Sequence, residues 1–392
     1  MSNVVVHLPF KEVLQRLNDK GPFVAPKEAI LFQPLKGARL PLKLRAISAT
    51  TTKISADRIW ERGDDHETQL ALLEIADHLD APYDTRKVKE KLIRKRSYSI
   101  SSIPFSSTRE VLEKGGLEGL AAKGEATLEI GCGNGIFLTS LLLNGEKAFG
   151  LEISNRCLRK AAFRLREAGF SQTHRYLVKA DGMAFLRWVV PPAFLKAIYV
   201  LFPDPWDGST HRRLINTSFL RLAREKLCKG GRLFMATDHS GYASQIKNAI
   251  EKTRGISLVE WSSPLNTKYQ EKWRREGRDT YRFAITVEEH EGYNKWERAS
   301  LDFTTKVKTE LKNLETPMVI TLPEEHHFVV EKRYDGKRGT LFRTVLSPST
   351  GMAQKQFLLL KDATLTLIPT WHEVSIPLLR EVMCILSTHP YP

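Results

Sequence analysis

The stretch Thr127-Leu128-Glu129-Ile130-Gly131-Cys132-Gly133-Asn134-Gly135 constrains this chain more than any other. The apolar run Ala126–Ile130 predicts a buried strand, and the glycines after it predict a tight turn into a helix opening at Ile136. Glycine permits positive φ and lets the backbone approach a ligand with no Cβ in the way. Several nucleotide-binding families share such a turn. Here the spacing is G-x-G-x-G, and Ile136 stands where a dinucleotide fingerprint would place its third glycine. An acid, Glu129, sits inside the strand two residues before the first glycine. The plain alternative is an ordinary βα turn in some other α/β protein.

Around this stretch, strand and helix signals alternate from about residue 110 to 287. Strands are predicted at 126–130, 147–152, 176–180, 196–201, 232–237 and 280–287. Helices are predicted at 136–143, 154–168, 183–189, 216–228 and 241–252. Such alternation implies right-handed βαβ units, hence an α/β, doubly wound and mostly parallel sheet with helices on both faces.

The chain is long enough for more than one core, at 392 residues against the ~250–300 where a single core stops growing. Residues 1–107 read as an N-terminal extension: β-rich, with a strand-like run at 35–47, then helical spacing over 61–81. Residues 86–96 follow with seven basic side chains against one acid, and the Ser-rich stretch 97–107 reads as a linker. Residues 108–288 form the central domain. Residues 289–392 read as a separate α+β module, with a helix over 296–314, strands at 318–322, 328–333, 340–346, 356–360 and 365–369, and a closing helix at 376–386.

The formal net charge of +15 favours a polyanionic partner, nucleic acid before an anionic membrane surface, with a generally basic surface as the bland alternative. No apolar run approaches the ~20 residues of a membrane span, and the first residues carry no basic segment followed by a long apolar core, so neither span nor leader is expected. The four cysteines are far apart and suggest neither a disulfide framework nor a metal site, which fits a reducing cytoplasm.

In open α/β sheets ligands bind at the carboxyl ends of the strands. Acids stand near the ends of successive predicted strands: Glu129, Glu152, Asp181, Asp204 and Asp238. One such acid usually caps a helix; several on one rim suggest a site. Glu152 suits two ribose hydroxyls and Asp181 an adenine amino group, by donor–acceptor matching and by the general methyltransferase pattern. Asp204 lies in Leu201-Phe202-Pro203-Asp204-Pro205-Trp206, where flanking prolines fix φ and hold the carboxylate. The alternative there is a rigid turn with an exposed aspartate.

Together these pieces resemble the bacterial tRNA (guanine-N7-)-methyltransferases, in the long form with N- and C-terminal extensions. The matching stretches are Leu128-Glu129-Ile130-Gly131, Gly150-Leu151-Glu152-Ile153, Phe202-Pro203-Asp204-Pro205-Trp206, His211-Arg212-Arg213, Ala236-Thr237-Asp238 and Thr267-Lys268-Tyr269, in family order over roughly residues 100–287. The resemblance implies a class I methyltransferase Rossmann-like fold, S-adenosyl-L-methionine as cofactor, and methyl transfer to N7 of a guanine in tRNA, guanosine 46 of the variable loop. It implies Asp204 as catalytic residue, Glu129, Gly131, Gly133, Glu152, Asp181 and Asp204 at the cofactor, and Asp238, Thr267, Lys268, Tyr269 and Gln270 at the substrate. It further implies tRNA as partner, no membrane, no metal, a cytoplasmic location, and action as a monomer or homodimer.

Two departures bear on base recognition. Gly208 stands where many relatives have lysine, and Gln270 stands where the family usually has glutamate. A carboxylate accepts two hydrogen bonds from guanine's N1–H and N2–H₂ edge, whereas a glutamine amide offers one acceptor. Basic residues Lys268, Lys272, Arg274, Arg275, Arg278 and Arg282 gather around Trp273 and Tyr281, a mixture suited to phosphate contact and base stacking. Other readings are a class I methyltransferase acting on another substrate, and a non-catalytic RNA-binding or assembly protein.

Overall fold

The computed structural model describes residues 3–35, 38–57, 65–86, 104–261, 279–288, 304–307, 314–322, 326–347, 353–368 and 382. The chain divides into two compact units, residues 103–299 with 350–352, and the two flanks together.

The first unit is built on an eight-stranded sheet. Its strands are β1 (Ser106–Ser107), β2 (Ala126–Ile130), β3 (Lys147–Glu152), β4 (Leu177–Lys179), β5 (Leu195–Leu201), β6 (Leu227–Thr237), β7 (Ile256–Val259) and β8 (Tyr281–Val287). Their order is β7-β8-β6-β5-β2-β3-β4-β1. Pairing is parallel from β1 to β6, and β8 is antiparallel to both β6 and β7. The order reverses beside β2, and the glycine turn follows that strand. This is the doubly wound, class I methyltransferase arrangement.

Alternation along β2 explains the two layers. Leu128 and Ile130 join the core with helices α4 (Gly182–Trp188), α5 (Thr217–Lys226) and α6 (Ser240–Glu251). Helices α2 (Ile136–Leu143) and α3 (Asn155–Glu167) supply the second core through Leu138, Leu142, Leu158 and Leu165. Each such fully buried aliphatic contributes about 1.5–3 kcal/mol relative to exposure.

Three local expectations change. Ser106 and Ser107 are not linker: they pair with β4, and Ser107 caps helix α1 (Thr108–Glu113) in a reciprocal capping box with Glu110. That S-x-x-E signal was present in the sequence. Strand β6 begins at Leu227, ahead of its predicted start, because a register shift in β5 lets Leu195 pair with Leu227 before the Lys229-Gly230-Gly231 break. Strand β7 carried no clear period, since its four residues are half-exposed at the sheet edge.

The second unit contradicts the division into two separate flanking modules. All its strands are antiparallel and lie in one sheet, in the order Thr304–Lys306, Thr364–Ile368, Gln354–Lys361, Gly339–Ser347, His326–Gly336, Phe23–Ala25, Glu28–Leu35, Ala38–Ala46, Thr52–Ala56, Asn3–Val6 and Tyr83–Arg86, with Met318–Leu322 also pairing His326–Gly336. Helix Asp65–His78 packs Leu72, Ile75 and Leu79 at its end onto the N-terminal strands, as the 61–81 spacing predicts. Within the predicted helix over 296–314, Thr304, Thr305 and Lys306 instead form a strand, pairing with Thr366, Leu365 and Thr364, and β-branched threonines suit that edge; residues 296–303 and 308–313 lie outside the described residues. The basic run beyond Arg86 and most of the closing helix at 376–386 lie outside the described residues.

Candidate functional site

The site forms at the carboxyl rim of the parallel strands. Gly131, Gly133 and Gly135 all have positive φ (76°, 54° and 73°), which an L side chain adopts only under strain. Their surroundings differ. A Cβ at Gly131 would meet nothing within 4 Å, and one at Gly133 only the Gly131 carbonyl at 4.0 Å. A Cβ at Gly135 would lie 2.8 Å from that of Ala161. The first two glycines therefore keep an open approach, and the third lets α2 pack on α3.

Glu129 is fully buried beside this turn. Burial, reinforced by the charge of Glu152, pushes its carboxyl up to about 8, although the Leu138 backbone N–H donates to it. Its Oε2 has no hydrogen-bond partner among the described residues. An orphaned buried carboxylate oxygen is costly. Glu152, the last residue of β3, is by contrast anchored: its Oε2 accepts from Gly133 N–H at 3.0 Å and its Oε1 from Ser154 N–H at 2.8 Å. This locks the glycine turn to the adjacent strand and fixes the carboxylate's direction. Asp181 is the N-cap of α4, its Oδ1 accepting from Ala184 N–H at 2.9 Å. The bland reading of a strand-end acid, a helix cap, is thus realised at Asp181.

Asp204 is exposed, three residues beyond β5. Phe202 and Trp206, one on each side of Pro203-Asp204-Pro205, both lie in the left-handed region (φ 54° and 47°). Such residues each cost about 1–3 kcal/mol and cluster at functional turns. Phe202 N–H extends the ladder to the Ala236 carbonyl at 2.8 Å, so this turn leaves the sheet beside the end of β6. Asp238, half-buried, directly follows β6 on the same rim. The guanidinium of Arg212 lies 3.9 Å from the centre of the Trp206 ring.

The structure brings Glu129, Gly131, Gly133, Glu152, Asp181, Asp204 and Asp238 to one edge of one sheet. Thr267, Lys268, Tyr269 and Gln270 lie outside the described residues, as do the basic residues 268–278. Sequence reasoning missed the support beneath the Asp204 turn: buried Arg213, which donates to the Pro205 carbonyl, and the contact of Asp207 with His239. The His211-Arg212-Arg213 motif was visible, but no spacing rule says which arginine is buried.

A family model described as "Putative methyltransferase" matches residues 123–283. The chain is 34% identical over 171 residues to the tRNA (guanine-N(7)-)-methyltransferase of Thermus thermophilus, covering 42% of this chain and 54% of that one. It is 30% identical over 172 residues to the protein of the same name from Rubrobacter xylanophilus, covering 40% and 74%. The first of these relatives is spanned for only about half its length. A solved rRNA methylase from Streptococcus thermophilus is 16% identical, with a TM-score of 0.30 over 45% of this chain and 95% of that one.

Proposed function

The chain belongs to the tRNA (guanine-N(7)-)-methyltransferase family, and from that premise we propose that it transfers the methyl group of S-adenosyl-L-methionine to N7 of a guanine in tRNA, at guanosine 46 of the variable loop. The observation that carries the reading is the acid rim around an open glycine turn, with Asp204 held on a strained loop of the same rim. The residues fit the cofactor in two respects. Space lies over Gly131 and Gly133, where a backbone must pass a ligand closely. Glu129 Oε2 is a buried acceptor without a partner.

When bound, S-adenosyl-L-methionine supplies an electrophilic methyl group on a sulfonium. Glu152, already oriented by two backbone N–H groups, presents its remaining lone pairs to the ribose hydroxyls. Asp181 would accept from the adenine amino group, and Glu129 would help hold the cofactor beside the glycine turn. Guanine N7 carries an available lone pair, so no proton has to be removed before attack. The protein's contribution is positioning, and stabilisation of the positive charge that moves onto the base. Asp204 supplies that electrostatic stabilisation, and Asp238 with Thr267, Lys268, Tyr269 and Gln270 holds the guanine and its strand. The excess of positive charge favours the tRNA backbone. No described helix is long and apolar enough to cross a membrane. The protein works in the cytoplasm as a monomer or homodimer.

The test is incubation of pure protein with methyl-labelled cofactor and bulk tRNA, followed by digestion to nucleosides. Label in N7-methylguanosine is expected. Label in another nucleoside would replace the substrate, and no transfer would overturn the enzyme in favour of a non-catalytic RNA-binding protein.

A further inference from the structure

The turn that presents Asp204 holds two strained residues, so its neighbours must over-determine it. Three side chains do this. Arg213 is 7% exposed. It donates Nε–H to the Pro205 carbonyl, and Nη1 to Gln245 Oε1 at 3.0 Å and to the Gly241 carbonyl at 3.4 Å. Its guanidinium lies 5.0 Å from the centre of the Tyr242 ring, and its Nη2 is 3.5 Å from Asp207 Oδ1. The same Asp207 oxygen is 2.8 Å from His239 Nε2. His239 is the N-cap of α6, its Nδ1 accepting from Tyr242 N–H at 3.0 Å. That cap assigns the ring proton to Nε2, directed at Asp207.

The contacts all run between the Asp204 turn and the start of α6. His239 directly follows Asp238, so a tie from Asp207 to His239 is also a tie between two acids of the rim, Asp204 and Asp238. We propose that Arg213, Asp207 and His239 form a latch of positioning residues for methyl transfer, fixing Asp204 and Asp238 relative to each other. The proposal rests on the methyltransferase reading above. Asp207 is 67% exposed by its side chain, where an ion pair contributes little to stability. Its value is geometric: a displacement of about 1 Å at a reacting centre costs on the order of 10²-fold in rate.

The test uses the full-length protein with Asp207→Ala, His239→Asn and both together; asparagine keeps an N-cap but cannot reach Asp207. Turnover should fall about 10–100-fold in each single variant. KM for tRNA and the calorimetric Kd for S-adenosyl-L-methionine should stay within about twofold, because phosphate and ribose contacts are untouched. The double variant should be no slower than the worse single, and Asp207→Asn, which still accepts from Nε2–H, should recover most of the rate. Backbone hydrogen exchange across residues 202–209 should speed up in Asp207→Ala, where Ser209 N–H bonds the Trp206 carbonyl at 2.8 Å. Parental turnover, additive losses or unchanged exchange would overturn the latch. A parent protein that leaves tRNA unmethylated would overturn the reading beneath it, and the exchange comparison would still decide whether the latch exists.

Discussion

Glu129→Gln should remove a pH dependence that the native chain builds into its own core. The Glu129 carboxyl titrates at an ordinary 4.5 when unfolded and at about 8 when folded, because it is wholly buried beside Glu152. The folded state therefore holds this proton more tightly than the unfolded state does. The stabilisation is fully present below pH 4.5 and is lost as pH rises towards and through 8. Each tenfold difference in proton affinity is worth about 1.4 kcal/mol. Integrated from pH 5 to pH 9 the loss is about 4 kcal/mol for a rigid site, and roughly half that where water enters and the site relaxes. Glutamine keeps the shape and the acceptor for Leu138 N–H without any charge. The assay is urea unfolding of parent and variant at pH 5, 7 and 9, read by hydrogen exchange in the peptide spanning β2. The parent should lose about 2–4 kcal/mol more than the variant between pH 5 and 9. Equal pH slopes would refute the reasoning, since they would mean that Glu129 is solvated or paired in solution.

Glu152→Ala should weaken S-adenosyl-L-methionine binding by about 1–3 kcal/mol in calorimetry. It should also loosen the turn, because Gly133 N–H loses its acceptor. Asp204→Asn should lower turnover by about 10²–10³-fold with tRNA binding nearly unchanged, measured by single-turnover methylation and filter binding. Replacing the seven basic side chains of residues 86–96 by alanine should reduce the log–log salt slope of tRNA binding by roughly three to five units if about five of them meet phosphates. An unchanged slope would make the run plain solvated surface.

The central sheet was legible because its signals are local. Ala126–Ile130 is buried throughout around Ala126, Leu128 and Ile130, and three glycines follow where the chain must turn. The acids could be placed on one rim from strand ends alone, since parallel strands share a direction. What could not be read was which acid is already occupied. Asp181 and Glu152 both accept backbone N–H groups, whereas Glu129 leaves an oxygen orphaned, and only the folded surroundings distinguish them. The strain at Phe202 and Trp206 was also hidden. Prolines on either side of Asp204 announced a fixed turn, but the positive φ values fall on the residues outside the prolines, where no residue type advertises them. Arg213, Gln245 and Tyr242 meet across some thirty residues, beyond any helical or strand period.

The joined flanks show the same limit more sharply, and they decide how the extensions can be tested. Glu28 and Lys332 are far apart in sequence, yet Glu28 accepts from the Tyr334 hydroxyl at 2.6 Å and pairs with Lys43 at 2.7 Å and Lys332 at 2.9 Å. Burial alone would raise the Glu28 carboxyl, but hydrogen bonds from Lys43, Tyr334 and Lys332 outweigh it and hold it down at about 2. Antiparallel pairing between distant strands leaves no local mark, so each flank reads as a module by itself. Among the described residues, backbone continuity between the halves is thin, a single bridge of Asp335 with Val24; the Glu28 cluster, the Arg343–Asp57 pair at 3.2 Å and the Phe23, Ile30, Tyr334 and Phe357 core add to it. Removing either flank would strip these partners and expose an unpaired strand edge on the other, the usual route to aggregation. Loss of tRNA binding in such a truncation would report a broken sheet. Charge-neutralising substitutions within residues 87–96, made in the full chain, are the way to ask whether the N-terminal flank touches RNA.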